Sequence, residues 1–246
     1  MERKTAIVTG AGSGIGRATA EALASRGCAV ALAGRNAERL RATEKVIESS
    51  HGPGRTLVIQ ADVAHVDQVE AMVDRAVQRF GRLDVLVNNA GEASAVPIGA
   101  TTAELVREYL QINALGPAAA ILRAWPVFER QRCGCVVNVS SIASVDPFPG
   151  FFAYAASKAP LNVMVKSIAK EGAGIGVKAY CIAPGVVETP LLRRTFDLKS
   201  VPAEACLTPE EVAGLIVECV EGGRAGANGA TLAIVREGER VRVWEV

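Results

Sequence analysis

The chain has 246 residues, of which 50% are hydrophobic and 22% are charged, so it can bury a core without a metal or disulfide staple. Its 27 Lys and Arg residues nearly balance 26 Asp and Glu residues, and the formal net charge of +1 argues against an electrostatic binder of nucleic acid or membrane surfaces. No apolar stretch approaches the roughly 18 residues of a membrane span, and no apolar secretory segment follows Met1. We therefore expect a cytoplasmic protein that binds neither nucleic acid nor membrane.

Short apolar runs that favour strands alternate with longer segments of helical period. The predicted strands are Thr5–Thr9, Ala29–Ala33, Arg55–Ala61, Leu83–Asn88, Cys135–Val139, Val177–Ala183 and Thr231–Val235. The predicted helices are Gly14–Arg26, Ala37–Ser49, Val66–Phe80, Thr102–Arg132, Phe152–Glu171 and Pro209–Glu221. This alternation is typical of an α/β fold whose parallel sheet is covered by helices on both faces. Because no composition break divides the chain, we predict one doubly wound domain over residues 1–246.

Three segments depart from this regular pattern. Gly116-Pro117 interrupts the long helix Thr102–Arg132, and the proline is expected to kink it because it removes a backbone donor. Residues 186–207 contain Pro190 and Pro202 and lie between Pro184 and Pro209, after a predicted strand, so we expect an irregular loop that acts as a lid at the carboxyl edge of the sheet. Residues 229–246 are predicted to form a terminal hairpin, because Arg240–Trp244 alternates with period two after a polar turn.

The six cysteines and two histidines predict neither a disulfide framework nor a metal site. Cysteines in apolar segments behave as small hydrophobic residues when they are reduced. The one close pair, Cys133 and Cys135, lacks a zinc-ligand spacing. We therefore expect no metal and no catalytic triad that depends on histidine.

A glycine-rich turn follows the first predicted strand. Gly10 to Gly16 reads Gly-Ala-Gly-Ser-Gly-Ile-Gly and leads into a helix. Glycines permit close backbone approach, and a helix N-terminus offers unpaired N–H groups and a positive dipole to a pyrophosphate. This position in a β-α-β unit predicts a dinucleotide site, although a tight β-α turn can also be purely structural.

Further motifs follow at matching spacing. They are Asp62-Val63, Asn88-Asn89-Ala90-Gly91, Asn113, Asn138-Val139-Ser140-Ser141, Tyr154-Ala155-Ala156-Ser157-Lys158 and Pro184-Gly185-Val186-Val187-Glu188-Thr189. Together with the turn Thr9–Gly16, they resemble the motifs of the short-chain dehydrogenase/reductase family over about residues 4–235. The resemblance implies a Rossmann fold, an NAD(P)-dependent oxidoreductase that acts on a carbonyl/alcohol pair, and a homodimer or homotetramer.

The resemblance also implies the cofactor contacts. The pyrophosphate residues would be Gly10, Ser13, Ile15 and Gly16, the adenine residues Asp62 and Val63, the adenosine-ribose residues Asn89 and Gly91, and the carboxamide residues Val187 and Thr189. Tyr154 and Lys158 would contact the cofactor as well as the substrate. Two alternatives stay open, because Asp62 and Thr189 also have the residue types and positions of ordinary helix N-caps.

Tyr154 and Lys158 are four residues apart on a predicted helix, so their side chains share one face. An adjacent ammonium and a nicotinamide cation would lower the pKa of a phenol, so Tyr154 is the expected general acid and base. The family spacing favours Ser141, with Ser140 as the alternative, as the hydrogen-bond partner of the substrate oxygen. Asn113 is expected to order a water that bridges to Lys158. A packed tyrosine beside a surface lysine is the alternative for an isolated Y-x-x-x-K.

The end of the second predicted strand indicates the choice of cofactor. An acidic residue that binds the ribose hydroxyls of NAD is expected there, but the sequence has Gly34 followed by Arg35. Arg35 predicts a preference for NADP(H) over NAD(H), unless it is simply solvent-exposed. Ser13 moderates this preference, because many NADP-dependent relatives have a second basic residue at that position. Two other functions stay open, a non-catalytic sensor of nicotinamide nucleotides and an isomerase on the same fold.

Residues that follow the matched motifs are candidates for a small-molecule substrate pocket. They are Glu92, Ala93, Ser94, Ala143, Ser144, Phe148, Phe151, Phe152, Val186, Leu191 and Leu192. The phenylalanines suggest an apolar wall, but core packing or a subunit contact would explain them equally well. The sequence does not indicate which carbonyl compound would bind.

Overall fold

The computed structural model describes residues 4–246, whose strands form one eight-stranded sheet. The strands are β1 (Thr5–Thr9), β2 (Ala29–Gly34), β3 (Thr56–Gln60), β4 (Val85–Asn88), β5 (Gly134–Val139), β6 (Val177–Pro184), β7 (Thr231–Glu237) and β8 (Arg240–Glu245). Their order is β3-β2-β1-β4-β5-β6-β7-β8, and only the edge pair β7–β8 is antiparallel. The strand order reverses between β1 and β4, and ligands bind at such a point in open α/β sheets.

Helices cover both faces of the sheet. They are α1 (Gly14–Ser25), α2 (Ala37–His51), α3 (Val66–Phe80), α4 (Ala103–Leu110), α5 (Gly116–Gln131), α6 (Phe152–Gly172), α7 (Pro190–Thr195) and α8 (Pro209–Glu221). Successive side chains of a strand point to opposite faces, so Val8 of β1 packs in the core under α1, α2 and α8, while Ile7 packs in the core under α3, α5 and α6. This arrangement confirms the prediction of a single α/β domain with a doubly wound sheet.

The long predicted helix Thr102–Arg132 is interrupted, and the interruption begins just before Gly116-Pro117. The chain continues from α4 through a π-helical turn, Gln111–Leu115, directly into α5. Gly116 and Pro117 are the first residues of α5, and the Gly116 N–H donates to the Gln111 carbonyl, as in a π-helix. The irregularity therefore lies at the wide turn around Asn113, and such turns are frequent at functional sites.

The segment 186–207, named the lid below, is partly helical rather than wholly irregular. It contains α7 and a short 3-10 turn, Ala203–Ala205. Its two ends are joined, because the Glu188 N–H donates to the Leu207 carbonyl at 2.9 Å and the Leu207 N–H donates to the Val186 carbonyl at 2.8 Å. The lid is therefore a loop with a fixed base and a largely exposed tip.

The chain ends in a strand that extends the sheet. β8 pairs antiparallel with β7, with Leu232 opposite Glu245 at one end and Glu237 opposite Arg240 at the other. Gly238 in the connecting turn has φ +62°. The side chains of β8 are exposed or half-buried, and this strand covers the edge of β7 while its Val243 packs against the core. In residues 4–246, no helix combines the length and apolarity needed to cross a membrane.

Candidate active site

The glycine turn lies against the segment that follows β4, and Thr9 joins the two. The Thr9 hydroxyl accepts from the N–H groups of Asn89 at 2.9 Å and Ala90 at 3.0 Å, and the Asn89 amide donates to the Thr9 carbonyl at 2.8 Å. Gly10 has φ +68°, and a Cβ on it would lie 2.7 Å from the Asn89 amide nitrogen. Because only glycine fits this backbone and this space, the turn stays close to the end of β4.

Residues of this turn line a cavity at the carboxyl end of the sheet. Ser13 is the N-cap of α1, yet its side chain makes no capping hydrogen bond. Gly10, Ser13 and Ile15 line the cavity, whereas Gly16 packs behind the turn, where a Cβ would lie 2.3 Å from the Gly10 carbonyl oxygen. The turn therefore presents backbone and a free hydroxyl to the cavity, which suits a pyrophosphate.

Asp62 and Val63 follow β3 and line the cavity beside the end of β2. The Asp62 carboxylate accepts from the Ala64 N–H at 3.0 Å, while His65 is the N-cap residue of α3. Asp62 is therefore not the cap of this helix, and its local turn keeps it at the cavity rim.

Asn113 is fully buried in the π-helical turn and makes three side-chain hydrogen bonds. Its Oδ1 accepts from the Glu92 N–H, and its Nδ2 donates to the Glu92 carbonyl and to the Ser157 hydroxyl, all at 2.9 Å. A Cβ on Gly91 would lie 2.9 Å from Asn113 Oδ1 and 3.0 Å from Lys158 Nζ. The missing side chain of Gly91 thus leaves the space in which Asn113 and Lys158 come together.

Lys158 is buried on α6, and its Nζ donates to the Val139 carbonyl at 2.8 Å. Burial lowers the pKa of this lysine to about 8, because the low-dielectric surroundings disfavour the ammonium. The side chain is therefore mostly charged at neutral pH, and it loses this charge as the pH rises past about 8.

Tyr154 and Ser141 face each other in the same cavity. Burial raises the pKa of Tyr154 above its usual value, and a hydrogen bond with Ser141 offsets part of this rise. The lowering of this pKa that is expected from Lys158 together with a bound nicotinamide cation stays a prediction.

Ser140, the alternative to Ser141, points elsewhere. Its hydroxyl lies 3.1 Å from the Ser144 hydroxyl and 3.2 Å from the Lys158 carbonyl, to which it donates. The structure thus brings Ser141, rather than Ser140, to Tyr154. Ser140 instead fastens the backbone of α6 to the end of β5.

The two lid residues predicted to contact the cofactor line the cavity, but they also have structural partners. The Thr189 hydroxyl accepts from the Leu192 N–H at 3.2 Å and caps α7, as its alternative interpretation predicted. Val187 pairs with Leu207 in an isolated parallel bridge. A hydroxyl that accepts one hydrogen bond still has a proton to donate, so the cap does not exclude a ligand contact.

Arg35 follows β2 and lines the cavity, with 62% of its side chain exposed. Its Nη2 lies 3.3 Å from Glu92 Oε2, and the other oxygen of Glu92 accepts from Arg194 of α7. Arg35 is therefore exposed, as one interpretation predicted, yet it is also paired across the mouth of the cavity.

Aromatic rings form one wall beside Tyr154. The Phe151 ring packs edge-on against Tyr154, with ring centroids 5.7 Å apart, and stacks on Phe196 of the lid at 6.1 Å. Phe148 contacts Phe151 edge-on at 6.3 Å. Phe152 is exposed and does not line the cavity, so the predicted apolar wall is correct for Phe148 and Phe151 only.

Two polar contacts of the site were not predicted. The Ser157 hydroxyl links Asn113 to the Tyr154 carbonyl, to which it donates at 2.7 Å. Tyr109 is buried on α4 and hydrogen-bonded to Ser94 at 2.5 Å. Ser157 lies inside the Y-A-A-S-K motif and could have been found there, whereas nothing in the sequence marks Tyr109.

The cavity has a volume of about 610 Å³, with the glycine turn and Arg35 at one end and Ser141, Tyr154 and Lys158 at the other. Small-molecule and cofactor sites occupy about 300–1,000 Å³. Phosphate-binding backbone and proton-transfer side chains therefore share one site of suitable size.

Comparison with known proteins agrees with this arrangement. The family model described as short chain dehydrogenase matches residues 4–199. The chain is 34% identical to a 3-oxoacyl-acyl-carrier-protein reductase of Thermotoga maritima, over 88% of this chain and 90% of that protein. It is 32% identical to 3beta-hydroxysteroid dehydrogenase 1 of Eggerthella lenta, over 95% of this chain and 93% of that protein.

Solved structures show the same similarity. The crystal structure of levodione reductase superimposes with a TM-score of 0.87 at 26% identity, covering 94% of this chain and 96% of that chain. The motifs, the sheet order and these relatives agree, and the chain belongs to the short-chain dehydrogenase/reductase family of NAD(P)-dependent oxidoreductases.

Proposed function

We propose that this protein is an NADP(H)-dependent oxidoreductase of a carbonyl/alcohol pair. Tyr154 is the general acid in carbonyl reduction and the general base in alcohol oxidation. The observation that carries this proposal is the meeting of Tyr154 and Ser141 in the cavity whose other end is the glycine turn. In that position, one substrate oxygen can contact both hydroxyls.

The residues around the cavity fit a nicotinamide dinucleotide. Gly10, Ser13 and Ile15 would hold the pyrophosphate, with Gly16 shaping the turn, and Asp62 and Val63 would hold the adenine. Asn89 and Gly91 would lie along the adenosine ribose, and Val187 and Thr189 would contact the carboxamide. When bound, the nicotinamide supplies or accepts the hydride.

The protein's own groups handle the proton. The raised pKa of Tyr154 keeps its hydroxyl protonated at neutral pH, so it can donate to the oxygen of a carbonyl that is being reduced. Lys158, below its pKa of about 8, carries a positive charge that stabilises the phenolate left behind. Asn113 joins the Glu92 backbone to Ser157 of α6 through hydrogen bonds. It is also proposed to order a water that reaches Lys158.

The end of β2 supports a preference for NADP. Gly34 provides no carboxylate for a ribose diol there, and Arg35 offers a guanidinium at the same rim. A charge-assisted contact to a 2′-phosphate corresponds to about tenfold or more in affinity. We therefore propose Arg35 as the residue that binds this phosphate.

The chain is also proposed to form a homodimer or homotetramer. Large apolar side chains stand exposed on the helical side of the sheet that contains α5 and α6, namely Leu115 at the π-helical turn, Leu122 on α5 and Val163 on α6. Large apolar side chains exposed on one side of a protein suit a surface that a partner covers. Sedimentation or light-scattering mass in solution measures the assembly, and a monomer would contradict the proposal.

The test is consumption of NADPH against ketones, quinones, steroids and acyl thioesters, and of NADP or NAD against the matching alcohols. Turnover with at least one pair is expected, and Tyr154→Phe should lower kcat by at least about 10² while cofactor affinity changes only a few fold. Cofactor binding without turnover would favour a nucleotide sensor, and substrate conversion without net cofactor consumption would favour an isomerase. Near-normal turnover of the Tyr154→Phe variant would contradict the mechanism.

A further inference from the structure

The Glu92 carboxylate lies between two guanidinium groups at the mouth of the cavity. One oxygen is 3.3 Å from Arg35 Nη2, and the other accepts from Arg194 Nη2. The Glu92 side chain is 21% exposed, against 62% for Arg35 and 57% for Arg194. The carboxylate is thus the inner member of a three-charge cluster, and the two arginines reach it from outside.

The backbone of Glu92 is fixed, whereas its partners are free to move away. Asn113 binds both the N–H and the carbonyl of Glu92 at 2.9 Å. Arg35 extends from the end of β2 and Arg194 from the exposed part of the lid, so each contacts Glu92 with the end of a long side chain. A ligand that attracts either guanidinium can therefore remove it while the carboxylate stays.

The charges around the cavity make this competition electrostatic. Besides Lys158 at the inner end, the lining contains three guanidiniums, of Arg35, Arg39 and Arg194, and two carboxylates, of Asp62 and Glu92. A 2′-phosphate adds between one and two further negative charges, judged from the second pKa of about 6 of phosphate monoesters. Bound at Arg35, it would share that guanidinium with Glu92 and be repelled by its carboxylate.

We propose that Glu92 is a specificity-determining residue for the cofactor, because its carboxylate competes with the 2′-phosphate for Arg35 and so weakens the preference for NADP over NAD. This inference rests on the proposed NADP site at Arg35. Exposed ion pairs are weak, so the Arg35–Glu92 contact can yield to a phosphate. The preference is reduced rather than reversed.

Two fragments of the cofactors isolate this effect from catalysis. 2′,5′-ADP carries the 2′-phosphate and 5′-AMP lacks it, and calorimetry on the full chain measures the affinity for each. Glu92→Gln keeps the size of the side chain and removes its charge. The ratio of the 2′,5′-ADP affinity to the 5′-AMP affinity should rise about three- to tenfold in this variant at low salt, the scale of one partly exposed charge interaction.

Three further variants assign the cause. Asp74→Asn makes the same change of net charge at a remote exposed ion pair with Arg123, and it should leave the ratio unchanged. In an Arg194→Ala background, the Glu92→Gln effect should persist, because the lid contact is not the competing one. In an Arg35→Ala background, most of the effect should disappear.

The outcomes separate this inference from the function on which it rests. If Arg35→Ala alone leaves the ratio unchanged, Arg35 does not bind the phosphate and the proposed cofactor site is wrong. If Arg35→Ala lowers the ratio but Glu92→Gln does not raise it, only the inference about Glu92 fails. If Glu92→Gln raises the ratio by the same factor in the Arg35→Ala background, the inference about Glu92 is also overturned, because the competition is then not for Arg35.

Discussion

The inner end of the cavity and the lid are held in different ways. At the inner end, Asn113 and Lys158 are buried and bonded to backbone or to neighbouring hydroxyls at 2.8–2.9 Å. The lid is fixed at its base, but its tip is held by side-chain contacts, such as Arg193 to Glu188 at 2.8 Å and Arg194 to Glu92.

This difference suggests that the inner end determines the chemical step and that the lid determines ligand binding. A buried polar group left without its partner costs about 1–3 kcal/mol, so the fold itself maintains the inner end whether or not a ligand is bound. Exposed charges already interact with water and lose little when they part. Substitutions at the inner end should therefore reduce kcat, whereas substitutions in the exposed ion pairs of the lid should change binding and leave the chemical step intact.

Lys158→Met should produce the largest loss among these predictions. It removes the buried ammonium and leaves the Val139 carbonyl without its donor. We expect kcat to fall by about 10³, within the range for losing a group that assists proton transfer. Steady-state kinetics measures this, with Lys166→Met, an exposed lysine of the same helix, as the control. A loss of less than tenfold would mean that the buried charge is not used.

Asn113→Ala should affect both folding and turnover. It removes three hydrogen bonds and leaves the Glu92 N–H and carbonyl unpaired. The free energy of unfolding should fall by about 2–3 kcal/mol in denaturant titration, and kcat should fall by about 10². Asn228→Ala removes one bond, to the Ala179 N–H, outside the site, so it should reduce stability without reducing kcat. Equal kcat values for the two variants would remove the special role of Asn113.

The pH profile should reveal Lys158. The lysine is protonated below its pKa of about 8 and neutral above it, so kcat/KM for carbonyl reduction should fall by up to about tenfold per pH unit above that value. Lys158→Arg keeps a charge throughout this range, because guanidinium has a pKa above about 12. The alkaline limb should therefore move to higher pH in any residual activity of that variant. An unmoved limb would assign it to another group.

Glu188→Gln tests the lid. It removes the ionic partner of Arg193, whose guanidinium also donates to the Val201 carbonyl at 2.7 Å. We expect KM to rise about two- to fivefold with kcat unchanged, because the lid closes less firmly while the inner end is untouched. A large fall in kcat with an unchanged KM would show that the lid takes part in the chemical step.

Deleting residues 237–246 should change catalysis least. The deletion removes β8 and uncovers the edge of β7. Unpaired edge strands associate readily, so the mass in solution should change, or an apolar dye should bind, while cofactor affinity stays within about twofold. Unchanged mass, dye binding and melting temperature would mean that β8 has no role in assembly.

Local sequence signals predicted much of the fold and the centre of the site. Apolar runs located β1–β7 to within a few residues, and the i, i+4 spacing placed Tyr154 and Lys158 on one helix face. The π-helical turn was not predicted, nor was the contact of its Asn113 with Glu92, which is 21 residues away. The paired state of Arg35 was missed for the same reason, since its partner is 57 residues away.

Burial, which the sequence cannot specify, raises the pKa of Tyr154 in the chain without its cofactor. The predicted lowering comes from the neighbouring lysine together with a bound nicotinamide cation. In the folded chain, desolvation dominates, and Lys158 is directed to the Val139 carbonyl. A pair of residues at the correct spacing therefore indicates which groups meet, but their surroundings determine the pKa values.

Ser141 and Tyr154 are proposed to hold the same substrate oxygen, and a double-mutant cycle on kcat tests this most directly. Ser141→Ala and Tyr154→Phe should each lower kcat by at least about 10² when NADPH is saturating. If the two hydroxyls act as one unit, the double variant should be within about threefold of Tyr154→Phe alone, because groups that act together show strongly non-additive losses. A double variant whose loss equals the product of the single losses would contradict a shared oxygen.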